Sequence, residues 1–212
     1  MSPSSTFNDR IDAGEQLAAI LTEYAGTNAI ILAIPRGGVI VGKTVARALK
    51  LPLDIVVTRK IGAPGDKEYA IGAIDIDGTG TFNEKEVATV DKKWLEETIA
   101  NEKKESNRRF ALYRGTRGPL ELKGKTVIIV DDGIATGLTI KAAVMYVKKM
   151  SAGKVIVASP VASPETAHAL AQITETKILF TPHLFFAVGQ FYKDFPQVSD
   201  EEVIEILTSA RR

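Results

Sequence analysis

Apolar residues follow two alternating patterns along the chain. Continuous apolar runs of strand length occupy residues 28–35, 53–58, 125–131, 154–160 and 177–181. Apolar residues recur at helical spacing over residues 7–24, 39–49, 138–150 and 163–173. Strands that are apolar throughout and alternate with helices are typical of a parallel sheet covered on both faces. The pattern therefore predicts an α/β fold with a parallel five-stranded core sheet flanked by helices.

Two consecutive regions interrupt this alternation. Residues 59–83 are rich in Gly, Asp and Lys, and the semi-apolar pieces 69–76 and 80–82 predict a hairpin around an Asp-Gly pair. We interpret this stretch as a mobile, glycine-hinged insertion, a flexible hairpin loop. Residues 84–113 carry charges of both signs with a sparse apolar stripe. This second region predicts one long or broken helix with a solvated outer face.

The end of the chain is rich in aromatic residues. They begin after residue 182, and an acidic helix start follows at residue 199. The aromatic positions are Phe185, Phe186, Phe191, Tyr192 and Phe195. Because no internal repeat, low-complexity tract or clear linker interrupts the sequence, we expect one domain over residues 1–212.

Composition limits the classes of protein that need to be considered. The chain has 212 residues, a net charge of +1 and no cysteine. The small net charge provides no global basic field for nucleic acid or an anionic membrane, and the glutamates among the cations of residues 84–113 also argue against nucleic acid. The lack of cysteine excludes disulfides and thiolate metal sites. Without a signal-peptide pattern or 18 consecutive apolar residues, we expect a cytoplasmic protein with no membrane span.

One segment raises the possibility of an ATPase. Residues 37–44 read GGVIVGKT, which matches the phosphate loop G-x-x-x-x-G-K-[ST] and lies between a predicted strand and a predicted helix. The acidic end of VIIVDD would also serve as the Mg²⁺-holding strand of such an enzyme. Against this hypothesis, the apolar β-branched triple at 39–41 suits a helix turn facing the sheet better than a phosphate wrap. The ATPase hypothesis also leaves the segment GIATGLT unexplained.

The most informative segment is VIIVDDGIATGLT, residues 127–139. Its apolar residues predict a buried strand, and Asp131 and Asp132 follow at the carboxyl end, where open parallel sheets bind ligands. The small residues and threonines that come next open a helix, where backbone N–H groups and the helix dipole favour an anion. The carboxylates repel a phosphate and suit neighbouring hydroxyls or a metal. A ligand with a phosphate next to a diol, such as a ribose 5-phosphate, meets both demands.

This segment closely resembles the signature of type I phosphoribosyltransferases, in which four hydrophobic and two acidic residues precede a small, Thr-rich phosphate cradle. The sequence IPRGG at 34–38 resembles the short pyrophosphate-contacting loop of that family. The insertion at 59–83 lies where the family has its flexible catalytic loop. The tail from about 182, with or without the N-terminus, lies where the family builds a small hood over the base. NDRIDAGEQLA and AVGQFYKDF are similar to a subgroup of phosphoribosyltransferase-like proteins of unknown acceptor.

The resemblance implies an activity and a role for each site residue. The donor would be 5-phosphoribosyl 1-pyrophosphate (PRPP) with Mg²⁺, and a nitrogen nucleophile would displace pyrophosphate from C1. Asp131 and Asp132 would hold the ribose hydroxyls, offset the developing positive charge and meet the metal mostly through PRPP and water. The 5-phosphate would be bound by Gly133, Ile134, Ala135, Thr136, Gly137 and Thr139. The pyrophosphate would be bound by Arg36, Gly37, Gly38, Arg59 and Lys60, of which Arg36 and Lys60 would be catalytic with the two acids.

Several assignments keep an alternative open. Phe186 and Tyr192 are candidates for contact with the base, or else belong to the core. Arg108, Arg109 and Arg114 are expected at the surface, with contact to a ligand or a partner subunit as the alternative. The resemblance implies a homodimer. A non-catalytic PRPP-binding gene regulator on the same fold is the second hypothesis, and no pattern in the hood identifies the acceptor.

Overall fold

The structure is a computed structural model that describes residues 7–210, apart from the side chain of Glu68. Its helices are α1 (Arg10–Ala19), α2 (Gly38–Leu49), α3 (Glu84–Val87), α4 (Lys92–Arg114), α5 (Leu138–Lys149), α6 (Pro164–Ala171) and α7 (Asp200–Ser209). Its strands are β1 (Ile30–Ala33), β2 (Leu53–Ile55), β3 (Arg59–Ala63), β4 (Asp66–Ile74), β5 (Gly80–Phe82), β6 (Thr126–Val130), β7 (Lys154–Val161) and β8 (Glu175–Phe180). The expected domain span of 1–212 extends beyond the described residues at both ends.

The predicted five-stranded parallel sheet is confirmed, in the order β2-β1-β6-β7-β8. Residues of α1, α2 and α7 form the apolar layer on one face, and residues of α5 and α6 form the layer on the other. This double cover explains why β1 is buried at every position and β6 at every position after its first. From β1 the chain continues to β2 on one side, and from β6 it continues to β7 on the other. The loops after β1 and β6 therefore diverge, which makes this edge of the sheet a topological switch point.

Residues 59–82 form a separate antiparallel sheet, in the order β3-β4-β5, which we call the small sheet. The predicted hairpin is confirmed, because β4 pairs with β5 across the turn that contains Asp77 and Gly78. The strand β3 was not predicted, and it pairs with β4 through an irregular register. The small sheet packs against α4 through an apolar cluster built on Ile61, Ile71 and Ile74.

The charged segment forms two helices, α3 and α4, with a break before Asp91. Asp91 begins the second helix by accepting a hydrogen bond from the amide of Trp94 at 2.8 Å. At its other end Arg114 is buried, which corrects the expected surface position. Its guanidinium donates to the carboxylate of Asp54 at 3.0 and 2.9 Å, and a buried arginine requires such a partner. Throughout residues 7–210 no helix combines the length and apolarity needed to cross a membrane.

The beginning of the described chain pairs with the tail. The amide of Phe7 donates to the carbonyl of Phe191 at 3.0 Å, and the amide of Lys193 donates to the carbonyl of Phe7 at 2.9 Å. Phe7, Phe191 and Tyr192 are buried in one aromatic cluster. We call residues 7–8 and 182–198 the hood, since together they cover the carboxyl edge of the sheet.

Candidate active site at the switch point

The two acidic residues lie where the loops after β1 and β6 touch. A Cβ atom added to Gly37 would lie 1.9 Å from Oδ2 of Asp132, and one added to Gly38 would lie 2.9 Å from Oδ1 of Asp131. Only glycine therefore allows the PRGG loop to approach the acid pair this closely. The structure thus brings the predicted pyrophosphate loop and the predicted ribose-binding acids together.

Each acid keeps one carboxylate oxygen without a protein N–H donor. The amide of Asp132 donates to Oδ1 of Asp131 at 2.9 Å, and Nε of Arg10 donates to Oδ2 of Asp132 at 2.8 Å. Among the described residues, Oδ2 of Asp131 and Oδ1 of Asp132 receive no hydrogen bond from an N–H group. Two neighbouring acceptors of this kind match a vicinal diol.

The loop after the acid pair presents unpaired amides. Within residues 7–210, the amides of Ala135, Thr136 and Gly137 donate to no protein acceptor, and the first amides of α5 have no partner inside the helix. The loop is held from below by α6, because the hydroxyls of Ser163 and Thr166 both donate to the carbonyl of Ala135, at 3.0 and 2.6 Å. Open amides on an anchored backbone at a helix N-terminus suit an anion, so this loop is a candidate anion-binding site.

Close packing fixes the conformation of this loop. Gly137 has φ +71°, and a Cβ atom there would lie 2.4 Å from Cγ2 of Thr166. A Cβ atom on Gly133 would lie 2.3 Å from the side chain of Val188 in the hood. Both glycines of the segment are thus required by the space around them, and Gly137 also by its backbone conformation.

Ile134 has a different position from its neighbours in the predicted cradle. Its side chain is buried in the core, and its amide donates to the carbonyl of Val161 at 2.9 Å. Neither group is available to a phosphate. The anion site is therefore formed by the residues around Ile134, while Ile134 attaches the loop to β7.

The acid pair is buried enough to alter its ionisation. Burial raises the pKa of Asp131 well above its ordinary value, and the neighbouring charge of Asp132 raises it further. Burial also raises the pKa of Asp132, while the ion pair with Arg10 acts in the opposite direction. Arg10 was not among the predicted site residues. A single arginine at the start of an N-terminal helix has no local feature that marks it, because its partner lies 122 residues later in the chain.

The residues predicted to contact pyrophosphate include two arginines, and each of these is paired with an acid. Arg36 lies 3.6 Å from the carboxylate of Asp200 at the start of α7. Arg59 donates to the carboxylate of Glu102 on α4 at 2.7 Å. Lys60 follows Arg59 on β3, and both residues line a hollow of about 590 Å³ between the small sheet and α4. The candidate cations therefore lie on two separate elements, Arg36 in the loop after β1 and Arg59 and Lys60 on β3.

The two hood candidates lie in opposite environments. Tyr192 is buried, packs against Phe7, and donates its hydroxyl to the carbonyl of Asp132 at 2.5 Å. The structure therefore uses Tyr192 to support the acid pair and leaves its ring no open face. Phe186 is 84% exposed and lines a hollow of about 420 Å³ with Thr136 and Lys141. Of the two candidates, only Phe186 is open to contact with a ligand.

The GGVIVGKT segment is the start of α2 and has the wrong shape for a phosphate loop. The helix begins at Gly38, Val39 and Val41 are fully buried, and Lys43 is exposed within the helix. A Cβ atom on Gly42 would lie 2.8 Å from the Cβ of Ala33. The glycines and valines of this segment thus serve helix packing against the sheet, and no loop is left to wrap a phosphate.

Fold and site together define a class of protein. An open parallel sheet whose switch point joins two acids to an anion-binding loop suits a phosphorylated sugar. The sequence profile described as the phosphoribosyl transferase domain matches residues 7–173, which is most of the chain. The chain belongs to the phosphoribosyl transferase domain family.

Known relatives agree with this membership. A protein of Mycobacterium tuberculosis, found in strains CDC 1551 and H37Rv and named provisionally as a phosphoribosyl transferase, is 41% identical over 209 residues, or 97% of this chain. The chain spans about half the length of these curated relatives, 47%. The crystal structure of the protein TT1426 from Thermus thermophilus superposes with a TM-score of 0.81 at 39% identity, covering 96% of this chain and 98% of that one.

Proposed function

We propose that this protein transfers the 5-phosphoribosyl group of PRPP to a nitrogenous base or a related small nucleophile and releases pyrophosphate. The observation that carries the proposal is the arrangement at the end of β6. Two neighbouring carboxylate oxygens without N–H donors lie directly before a loop of unpaired amides. This arrangement matches the 2′- and 3′-hydroxyls and the 5-phosphate of one ribose.

The acid pair would act on the charge that develops during transfer. The bond between C1 and pyrophosphate breaks, a bond between C1 and the acceptor nitrogen forms, and positive charge develops on the ribose ring. Asp131 and Asp132 would offset that charge from the hydroxyl side. The loop at residues 133–137 would bind the 5-phosphate. Its backbone is held in place because the hydroxyls of Ser163 and Thr166 donate to the carbonyl of Ala135.

The departing pyrophosphate would be bound by Arg36, the amide of Gly37, and Arg59 or Lys60. Gly37 already lies against the acid pair and Arg36 precedes it in the same loop, whereas Arg59 and Lys60 lie on the small sheet. Closure of the small sheet over the site would deliver its cations and exclude water from an oxocarbenium-like species. A homodimer, in which such a loop works beside a partner subunit, is part of this proposal.

The residues present fit a magnesium ion that arrives with the donor. Within residues 7–210 no group of three or more His, Cys, Asp or Glu side chains could hold a metal. The site offers two carboxylates, one of which is already paired with Arg10. Such a set suits Mg²⁺ held mainly by substrate phosphates, with Asp131 and Asp132 contacting it through water. When bound, Mg²⁺ would offset the negative charge on the leaving pyrophosphate.

Calorimetric titration with PRPP plus Mg²⁺, beside ATP plus Mg²⁺, tests the proposal directly. Binding of PRPP alone, followed by pyrophosphate release with one member of a panel of bases, is the expected result. Binding of ATP without PRPP would overturn the proposal and return attention to the GGVIVGKT segment.

One observation favours a second candidate, a PRPP-binding regulator without turnover. Arg36 and Arg59, the two arginines expected at the pyrophosphate, are paired with Asp200 and Glu102. Arginines satisfied by acids would stabilise a departing pyrophosphate poorly, while the acid pair and the loop after it would still bind the ribose 5-phosphate part of the donor. Tight binding of PRPP with no pyrophosphate release from any base would identify this second function.

A further inference from the structure

Arg10 joins three segments of the chain at the candidate active site. It begins α1 and is only 6% exposed. Its Nε donates to Asp132 at 2.8 Å, and its Nη1 donates to the carbonyl of Pro196 in the hood at 2.7 Å. The guanidinium carbon also lies 3.7 Å from the centre of the Phe195 ring. A buried arginine with this many contacts is held in a single position.

Arg10 and the close approach of Gly37 restrict the carboxylate of Asp132. Oδ2 of Asp132 accepts from Arg10 and also occupies the space that a side chain on Gly37 would fill. Below the carboxylate, the hydroxyl of Tyr192 donates to the backbone carbonyl of the same aspartate. Rotation of the carboxylate would break the ion pair with Arg10, so the orientation of Oδ1 is fixed. No corresponding cation contacts Asp131 among the described residues.

We propose that Arg10 is a positioning residue for phosphoribosyl transfer, which orients Asp132 toward the ribose and connects that carboxylate to the hood. This inference rests on the proposed function. Since Asp132 would act on charge that develops only in the transition state, loss of its orientation should lower kcat more than it raises KM for PRPP. A small displacement of a catalytic group lowers a rate by up to about 100-fold.

Substitution of Arg10 tests the proposal through kinetics rather than through stability alone. Arg10→Gln is expected to lower kcat about 10- to 100-fold, with KM for PRPP changed by less than about threefold. Arg10→Lys should recover part of the lost kcat, because it restores a charged donor. Added guanidinium should partly restore kcat of Arg10→Ala at concentrations that leave the melting temperature of that variant unchanged, which separates positioning from a gain in stability. Arg47→Gln, which removes an exposed arginine from α2, is the matched control and should leave kcat unchanged.

A double-mutant cycle identifies the partner through which Arg10 acts. In an Asp132→Asn background, Arg10→Gln should cause little further loss of kcat, because the oriented carboxylate is already absent. An equal loss in both backgrounds, or a lower melting temperature with unchanged kcat, would overturn the inference. If the wild-type protein neither binds PRPP nor releases pyrophosphate, the proposed function fails and this inference fails with it. If the wild type is active but the effects of Arg10→Gln and Asp132→Asn are additive, only the role of Arg10 is rejected and the proposed function stands.

Discussion

The loop after the acid pair, residues 133–137, and the small sheet are attached to the protein in different ways. The loop is held by two hydroxyl groups on one carbonyl and by two glycines packed without free space. The small sheet has its own apolar cluster on α4, but its ion pairs to other elements are partly exposed, Arg59 with Glu102 and Lys149 with Asp77. Partly exposed pairs contribute about 0–1 kcal/mol each. The loop is thus fixed for preorganised binding, whereas the small sheet depends on its apolar cluster, since its ion pairs add little.

The largest expected effect is on the rigid side of this comparison. Asp131→Asn or Asp132→Asn should lower the rate of pyrophosphate release about 100- to 1000-fold, since each removes a preorganised negative charge. Both variants should still fold, but Asp132→Asn should lower the melting temperature, because it leaves the buried Arg10 without a charged partner. Thermal melting beside the activity assay measures this. Unfolding of either variant, without a separable loss of activity, would contradict the assigned role.

The ionisation of Asp131 adds a pH dependence with a definite sign. Its pKa is raised in the folded protein, so the unfolded chain holds fewer protons than the folded one as pH rises above the ordinary value of 3.8. Ionisation of Asp131 therefore lowers the free energy of unfolding across that window. Asp131→Asn should consequently be at least as stable as the wild type at pH 7, as tested by denaturant unfolding at pH 4 and pH 7. A variant less stable at pH 7 would show that the charged form is favoured.

Matched glycine substitutions compare the two regions next. Gly137→Ala should lower the free energy of unfolding by about 2 to 4 kcal/mol and abolish PRPP binding, because positive φ and the contact with Thr166 act together. Gly65→Ala, in the turn of the small sheet, has φ +84° and no atom within 4 Å of the added Cβ. It should cost about 1 kcal/mol from backbone strain alone. Equal losses in denaturant unfolding would remove the distinction between the anchored loop and the open turn of the small sheet.

A smaller effect is expected from removing the ion pair between Arg59 of the small sheet and Glu102 of α4. Glu102→Gln removes the carboxylate that holds Arg59, which leaves the guanidinium available to pyrophosphate. We expect the affinity for PRPP plus Mg²⁺ to rise about two- to threefold by calorimetry, with stability changed by less than about 1 kcal/mol. Glu105→Gln, on the same helix but paired with Arg108 and Arg109, is the control and should leave affinity unchanged. Weaker binding after Glu102→Gln would mean that the ion pair orders Arg59 for binding.

The smallest expected effect is that of Glu105 on the free energy of unfolding at acid pH. Hydrogen bonds from Arg108 and Arg109 lower the pKa of Glu105 from 4.5 to about 2. Its stabilising contribution is complete above pH 4.5 and is lost as pH falls towards 2. Glu105→Gln should therefore reduce stability at pH 7 by less than about 1 kcal/mol and have little effect near pH 2. Thermal melting of the wild type and the variant between pH 2 and pH 7 measures this difference in stability. A difference that grew towards pH 2 would contradict the lowered pKa of Glu105.

The sequence predicted the elements whose information is local. The apolar runs indicated the five parallel strands, and the segment at residues 127–139 indicated the acid pair and the anion loop, because each depends on neighbouring residues. The strand β3 was missed, since its register with β4 shifts twice and its five residues, RKIGA, begin with two charges. The GGVIVGKT segment shows the opposite limit, because a local match to a motif proved to be a packed helix.

Long-range contacts were decided by the tertiary structure alone. Arg10 with Asp132 and Arg114 with Asp54 are pairs separated by 122 and 60 residues, and neither position carries a pattern that marks its partner. The buried position of Tyr192 under the acid pair is of the same kind. Periodicity and motif chemistry depend on residues that are neighbours in the sequence, so they predicted the sheet and the loop at residues 133–137. A buried charge obtains its partner only when the folded chain brings distant segments together, so the fold decided how the site is supported.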